Sequence, residues 1–197
     1  MSMKIYWLGE GCILVEDKKA NILIDPFKED QKIEKNVDVV LLSEEKLKFN
    51  HDLVFDWPGE YETKGVGVRG LSFDKKNGEK TTVFIMEMAG MRVCHLGRMD
   101  RVLDDSEVSQ LGDIDVLTIP VGGKDVLDAK SAHKIIESVD PRMVIPIHFS
   151  LPGDEGGYAP IDDFKREMGL KEDYESQKSV EVKNMPEDQT LIVILEK

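Results

Sequence analysis

The chain of 197 residues contains two cysteines, Cys12 and Cys94, which lie far apart in the sequence. Two cysteines cannot form the disulfide framework of a small secreted domain, and their spacing excludes a Cys-x-x-Cys zinc or redox motif. Both are predicted to be buried apolar thiols. Long apolar runs are missing as well, since segments such as 39–42 fall far short of the roughly 18 residues that would span a bilayer.

Positive charge is scarce. The chain has 26 Lys and Arg against 39 Asp and Glu, a formal net charge of −13. A surface this negative repels phosphate backbones and anionic lipid, so a nonspecific nucleic-acid binder and a polybasic membrane-surface protein are not expected. The N-terminus shows no charged segment followed by an apolar run, so no signal peptide is predicted and the expected location is the cytoplasm.

The remaining composition, 41% hydrophobic and 33% charged residues, is typical of a folded globular protein. Neither an internal repeat nor a Ser/Gly linker divides the chain, which predicts one domain over 1–197. Alternating or continuously apolar segments predict eight early strands. These strands are expected over 4–8, 12–16, 21–24, 37–42, 52–57, 65–71, 81–88 and 91–95.

Beyond residue 103 the pattern changes to strand and helix units. The run Asp104-Asp105-Ser106 can cap one helix and Asp128 a second, and these helices are predicted to end near 112 and 139. The remaining elements are strands over 116–120 and 143–147, a helix over 160–168, and a closing pair of strands over 179–182 and 190–195.

Two of the four histidines stand at the C-terminal ends of apolar strands, His95 after 91–94 and His148 after 144–147. In layered α/β proteins this edge of the sheet is where ligands bind, so both are candidate site residues. A hydrogen-bonded structural role is the alternative for each. His133 lies off the apolar stripe of its predicted helix and is expected on the surface.

Seven short segments carry a family resemblance. They are Gly-Glu-Gly-Cys at 9–12, Leu-Ile-Asp-Pro-Phe at 23–27, Pro-Gly-Glu-Tyr-Glu at 58–62, Cys-His-Leu-Gly at 94–97, Ile-Pro-Val-Gly-Gly at 119–123, Asp-Ala-Lys at 128–130 and Ile-Pro-Ile-His at 145–148. In this order and spacing they resemble the small bacterial "Zn-dependent hydrolase" branch of the metallo-β-lactamase superfamily. The resemblance implies an α/β (α+β) fold, a four-layer αβ/βα sandwich of two mainly antiparallel or mixed sheets with outer helices.

The chain departs from this family where the metal ligands are expected. The family has His-x-His-x-Asp-His after the strand matching 37–42, and a dinuclear zinc site requires such ligands close to each ion. The matching positions here are Glu44, Lys46, Lys48 and Phe49 or, with a two-residue insertion, Lys46, Lys48, Asn50 and His51. Three further family motifs are altered: a histidine is replaced by Glu10, a metal-bridging aspartate is replaced by Arg98, and a His-Asp pair is reduced to Phe73-Asp74.

These replacements predict a protein that has lost its metal and its hydrolase activity, because Arg98 has no lone pair to give and repels cations. The expected cofactor is therefore none, and the expected role is binding or structural. Arg98 and a lysine are expected either to pair with Glu10, Glu44 or Asp25 and close the site, or to bind a small anion; a protein partner is the other candidate. The residual pocket is predicted to comprise Glu10, Asp25, Glu44, Lys46, Lys48, His95, Arg98 and His148.

The alternative is an active metal-dependent hydrolase that holds zinc or manganese with relocated ligands. These ligands would be Glu10, Glu44, Asp25, His95 and His148. The direction of the Arg98 side chain separates the two hypotheses, because an enzyme of this kind needs Arg98 turned away from the ion. A third hypothesis, an interaction module, would expose an apolar patch with Trp7, Trp57 or Phe149, which are otherwise expected in the core.

Overall fold

The computed structural model describes residues 2–29, 31–151, 153–154, 156–171, 173–183, 185 and 189–197. The early strands are β1 (Met3–Gly9), β2 (Cys12–Glu16), β3 (Asn21–Ile24), β4 (Val39–Leu41), β5 (Val54–Phe55), β6 (Gly59–Thr63), β7 (Val66–Asp74), β8 (Lys80–Met88) and β9 (Met91–His95). They are followed by α1 (Asp105–Leu111), β10 (Val116–Pro120), α2 (Ala129–Val139), β11 (Met143–Ile147), α3 (Ile161–Glu167), β12 (Val180–Val182) and β13 (Leu191–Ile192).

The strands form two mixed sheets. The first has the order β12-β1-β2-β3-β4-β5, and the second has the order β13-β11-β10-β9-β8-β7-β6. The predicted α/β class with two mixed sheets is confirmed. Strands β3, β4 and β5 run parallel in the first sheet, as do β9, β10, β11 and β13 in the second, so several strands end at the same edge.

The predicted pairing of the two last strands is wrong. β12 pairs antiparallel with β1, whereas β13 pairs parallel with β11, so the two belong to different sheets. Their apolar patterns indicate strands, but the partner of a strand is set by the free backbone groups of a sheet edge. Residues 58–62, which were not expected to form a strand, lie mostly within β6, at the opposite edge of the second sheet.

One large apolar cluster joins the second sheet to one face of the first, and Trp7 and Phe149 belong to it, with ring centroids 4.4 Å apart. The other face of the first sheet buries Cys12, Leu14 and Leu23. Side chains of the segments after β3 and after β4 cover that face: Phe27, Ile33 and Val37 from the first, Leu47 and Phe49 from the second. Trp57 is 61% exposed, so the prediction of a core position holds for Trp7 and Phe149 and is wrong for Trp57.

The first two helices begin where the N-cap pattern predicts. Asp104 accepts a hydrogen bond from the backbone N–H of Glu107, whose side chain returns to the N–H of Asp104, and this capping box starts α1. Asp128 accepts from the N–H of Ser131 at the start of α2. In the part of the chain that the structure describes, every helix is too short or too polar to cross a membrane.

We expect neither thiol to react in the native protein. Cys12 and Cys94 are buried and free, and burial raises the pKa of both, that of Cys94 to about 12. The thiolate is the reactive form, so modification requires unfolding. Titration with an aromatic disulfide reagent should detect two thiols in denaturant and none on the same timescale in native buffer. Rapid labelling of the native chain would contradict the burial described here.

Candidate functional site

A polar cluster lies where strands of both sheets end. Asp25 follows β3, Glu44 lies three residues after β4, His95 ends β9 and His148 follows β11. All four side chains are buried. Since these strands belong to the parallel parts of the two sheets, their C-terminal ends bring chemistry-bearing residues to a shared edge, where ligands bind in α/β folds.

Asp25 is the centre of the first part of the cluster. Its Oδ1 accepts the backbone N–H of Ser43 at 2.7 Å, and its Oδ2 accepts the Ser43 hydroxyl at 2.5 Å. The Nε2 of His95 lies 3.1 Å from the same Oδ2, and its Nδ1 lies 2.7 Å from Oγ1 of Thr118. Because a carboxylate only accepts, Nε2 of His95 is the donor to Asp25. Both carboxylate oxygens and both ring nitrogens are therefore engaged.

Glu44 is the centre of the second part. Its Oε1 lies 2.6 Å from Nζ of Lys75, and both side chains are buried, with 5% and 4% of their surfaces exposed. Its Oε2 faces Nζ of Lys46 at 2.9 Å and Nε of Arg98 at 3.7 Å, as ion pairs without hydrogen-bond geometry. One carboxylate thus faces three cations. The Lys75–Glu44 pair is almost fully desolvated, so loss of either charge would leave the other buried without its main counterion.

Arg98 connects this buried group to the surface. Its guanidinium forms an ion pair through Nη2 with Asp125, whose side chain is 49% exposed, whereas that of Arg98 is 13% exposed. Burial lowers the pKa of Arg98, but Tyr158, Asp125 and Glu44 outweigh that effect and raise it. Burial raises the pKa of the Asp125 carboxyl, and the charge of Arg98 overcomes this and holds it below its ordinary value. Both groups are therefore charged at neutral pH.

His148 differs from its neighbours because both of its polar side-chain atoms lack a hydrogen bond to the described residues. It is buried, and neither ring nitrogen has a hydrogen-bond partner among the described residues. Burial first, and then the charges of Arg98, His95 and Lys75, lower the pKa of His148 well below 6.5, so its imidazole is neutral. Buried polar groups without partners are rare and call for an explanation.

The backbone around His148 is strained and closely packed. The φ angles of Glu10, Asp25 and His148 are +48°, +47° and +51°, a region that costs free energy for a residue with a side chain. The N–H of His148 donates to the carbonyl of Glu10 at 2.8 Å. At Gly11, a Cβ would lie 2.5 Å from Nε2 of His148, so only glycine leaves room for the ring. Such strain concentrates at functional sites.

The structure places the predicted pocket residues in three groups. Asp25 binds His95, Glu44 contacts Arg98 and Lys46, and His148 lies close enough to Arg98 for the charge to affect its pKa. The other two predicted residues, Lys48 and Glu10, have exposed side chains, and Glu10 contacts His148 through its backbone carbonyl.

Five residues of the site were missed by sequence reasoning: Ser43, Lys75, Thr118, Asp125 and Tyr158. Lys75 carried a signal, since Phe73 is buried in β7 and period two places Lys75 on the same side of the chain as Phe73. Tyr158, whose ring lies 5.5 Å from that of His148, follows a Gly-rich loop and carried none.

The arrangement of these side chains does not fit the ligand shell of a metal ion. Within the described residues, no group of three or more His, Cys, Asp or Glu is placed to hold one. Asp25 and His95 bind each other, Glu44 is held by cations, and Glu10 is exposed. Two of the five relocated ligands considered from the sequence have buried polar atoms without a hydrogen-bond partner among the described residues: His148 at both ring nitrogens and Glu44 at Oε2.

Comparisons with known proteins identify the family. Residues 4–148 match the family described as "Beta-lactamase superfamily domain". A UPF0173 protein of Pyrococcus furiosus is 27% identical over 199 residues, covering 84% of this chain and 90% of its own length. A UPF0173 metal-dependent hydrolase of Natranaerobius thermophilus is 24% identical over 211 residues, covering 86% and 92%.

A solved structure extends the comparison to nearly the whole chain. A protein from Thermotoga maritima, named as a candidate Zn-dependent hydrolase of the metallo-β-lactamase superfamily, superposes with a TM-score of 0.81. The two chains are 31% identical, and 98% of each is covered. The predicted superfamily and its sandwich of two sheets are confirmed.

The comparisons overturn two predictions made from the sequence. The inactive, pseudo-hydrolase role and the absence of a cofactor are both contradicted, because similar proteins are named metal-dependent or Zn-dependent hydrolases. The error lay in reading the loss of motif ligands as loss of activity. The findings favour the alternative, an active hydrolase, although the described side chains do not assemble the five-residue ligand set proposed with it.

Proposed function

Because the chain belongs to the beta-lactamase superfamily domain family, we propose that it is an active hydrolase whose reaction centre is His148. The observation that carries this proposal is a buried, neutral imidazole with two nitrogens free of hydrogen bonds, held on strained backbone. A structural histidine would normally use at least one of its nitrogens.

His148 is suited to act as a general base. A neutral imidazole accepts a proton, and its lowered pKa keeps it in that form across the physiological range. In hydrolysis, the oxygen of water forms a bond to the electrophilic centre of the substrate while His148 takes the proton of that water. The same proton then passes to the leaving group, whose bond to the electrophilic centre breaks.

Arg98 and Lys75 are suited to stabilise negative charge that develops on the substrate. Both cations lie close enough to His148 to lower its pKa, and both are held in place by Glu44. Fixed charges in a water-excluded site act more strongly than the same charges in water. Lys75 is the better anchored of the two, because its ammonium is fully enclosed with its carboxylate partner.

Metal dependence is expected because relatives are named metal-dependent hydrolases, and it is tested together with the activity. The side chains described above do not fit an ion in their present arrangement, so the steps assigned here belong to the side chains alone. The assay is therefore run on protein purified without chelator, with zinc or manganese supplied and with chelator added.

The test is a substrate panel with matched histidine variants. Esters, thioesters, lactones and phosphodiesters are offered to the native chain, to His148→Gln and to His133→Ala. His133 lies on α2, where its Nδ1 is 3.1 Å from Glu167, so His133→Ala loses an imidazole without touching the site. Hydrolysis by the native chain and His133→Ala, with loss in His148→Gln, supports the proposal. A panel without turnover in any metal condition, or an active His148→Gln, contradicts it.

A substitution beside His148 is expected to reduce hydrolysis without unfolding the chain. In Gly11→Ala, the new Cβ would approach Nε2 of His148 to 2.5 Å, so the imidazole must move. A displacement near 1 Å at a reacting group can cost about 100-fold in rate. Gly67→Ala is the control, since its Cβ would meet no described atom closer than 4.0 Å. Equal kcat/KM values in the two variants would show that the position of this ring does not matter.

A further inference from the structure

We propose that Arg98 binds an anionic group of the substrate, a carboxylate or a phosphoryl group, and that Asp125 occupies this anion position in the free protein. This inference rests on the proposed hydrolase function, because only a hydrolase has a substrate to bind. The binding of the anion itself is a separate property that can be measured without turnover.

The Arg98 guanidinium has one end in the buried cluster and one end at the surface. Its Nε faces Oε2 of Glu44 at 3.7 Å, while Nη2 binds Oδ2 of Asp125. Nε is buried and makes no hydrogen bond with the described residues. A guanidinium presents five N–H donors in a planar fork that suits carboxylate and phosphate oxygens, so Arg98 retains donor capacity toward the site.

The charges around Glu44 leave Asp125 as the main counterion of Arg98. Glu44 already has Lys75 at 2.6 Å and Lys46 at 2.9 Å, both closer than Arg98. If Asp125 turned away, the guanidinium would keep the carboxylate of Glu44, which it shares with two closer lysines. An incoming carboxylate or phosphate would restore the negative charge of Asp125 at the same place.

Asp125 is placed to give way to such a group. It lies at the tip of a tight turn, in which the N–H of Gly123 donates to the carbonyl of Leu127 and the N–H of Val126 donates to that of Gly123. These backbone bonds hold the turn without the Asp125 carboxylate, which is half exposed. The Asp125 side chain can therefore leave Arg98 without unfolding its turn.

An anion on Arg98 would lie next to the reaction centre. The guanidinium interacts with Tyr158, whose ring lies 5.5 Å from that of His148, and its charge reaches His148 itself. For His148 to act on a substrate bound there, the reacting bond has to lie near the anionic group. This favours small anionic substrates over large neutral ones.

The experiment measures binding of acetate and of inorganic phosphate by calorimetry. Asp125→Asn removes the internal competitor and should tighten binding of both anions about fivefold, the value of an exposed ion pair near 1 kcal/mol. Arg98→Gln should abolish binding. The controls are Asp163→Asn and Arg166→Gln on α3, which alter a more exposed Asp–Arg pair that does not belong to the polar cluster around Arg98. They report what the loss of one surface charge does in a chain of net charge −13.

The outcomes separate this inference from the proposed function. Tighter binding in Asp125→Asn than in Asp163→Asn supports the inference, whether or not any substrate of the panel is hydrolysed. Equal binding in these two variants overturns it, as does binding to Arg98→Gln at native strength. If His148 proves catalytic and Asp125→Asn binds no tighter, the hydrolase proposal stands and the anion site fails alone.

Discussion

Glu44→Gln is expected to lower the free energy of unfolding by about 3–5 kcal/mol, the usual cost of removing one partner of a buried ion pair. The loss arises because the ammonium of Lys75, 4% exposed, would remain in the interior without its carboxylate. Arg98 and Lys46 would lose the same counterion, although both reach solvent more easily. Urea unfolding followed by circular dichroism measures the change, with an unchanged m-value showing that the same structure unfolds.

A double variant separates the ion pair from a general effect at this position. Glu44→Gln combined with Lys75→Met removes both charges. The double variant should be more stable than Glu44→Gln alone, because it leaves no buried charge without a counterion. Asp74→Asn is the control, because the Lys80–Asp74 pair lies on the surface with 66% of each side chain exposed. The buried-pair account fails if Glu44→Gln unfolds at the urea concentration of Asp74→Asn.

Most of the fold followed from local sequence patterns. The apolar alternation of 4–8 and the continuous run of 116–120 place β1 and β10, because burial on one or two faces leaves a direct trace in the sequence. The side chain of Asp104 fixes the start of α1 in the same way. The partner of β12 could not be predicted, since a three-residue strand satisfies its backbone on any open sheet edge.

The site was predicted less well than the fold. His95 and His148 were found because they end strands, and Asp25 because it lies in a segment of family resemblance; the topology brings all three positions to one edge. Lys75 and Asp125 come from loops, and their contacts with Glu44 and Arg98 span 31 and 27 residues of sequence. A charged loop residue normally stays in water, so nothing local marks Asp125 as part of this ionic cluster, and the period-two relation to Phe73 is the one local indication for Lys75.

The comparisons add a lesson about missing motifs. Reading Arg98 and Glu44 against a family pattern indicated which ligands were lost, and that inventory suggested an inactive protein. It could not show that Lys75 and Arg98 would be held against the same carboxylate, beside an imidazole with unused nitrogens. The chemistry of a site depends on the groups that are assembled there, and a motif reports only some of them.

His148→Gln is expected to lower kcat/KM by about 10²- to 10⁴-fold, the usual contribution of a general base. The pKa of His148 lies well below 6.5, mainly because the ring is buried and secondarily because Arg98 is near. In the native enzyme, kcat/KM should therefore stay level through neutral pH and fall only at acid pH, when the imidazole becomes protonated. In the variant, kcat/KM should be low and should no longer fall at acid pH. Initial rates between pH 4.5 and 8.5 measure both effects.

The same lowered pKa predicts how stability depends on pH. Below about pH 6.5, the ordinary histidine value, the unfolded chain takes up a proton that buried His148 does not. The unfolded state then binds more protons, so the free energy of unfolding contributed by this residue decreases as the pH falls from 6.5. His148→Gln should remove this contribution and show a shallower loss of stability between pH 6.5 and 5 than His133→Ala. Parallel profiles for the two variants would mean that His148 takes up its proton as readily in the native protein as in the unfolded chain, and the lowered pKa would be wrong.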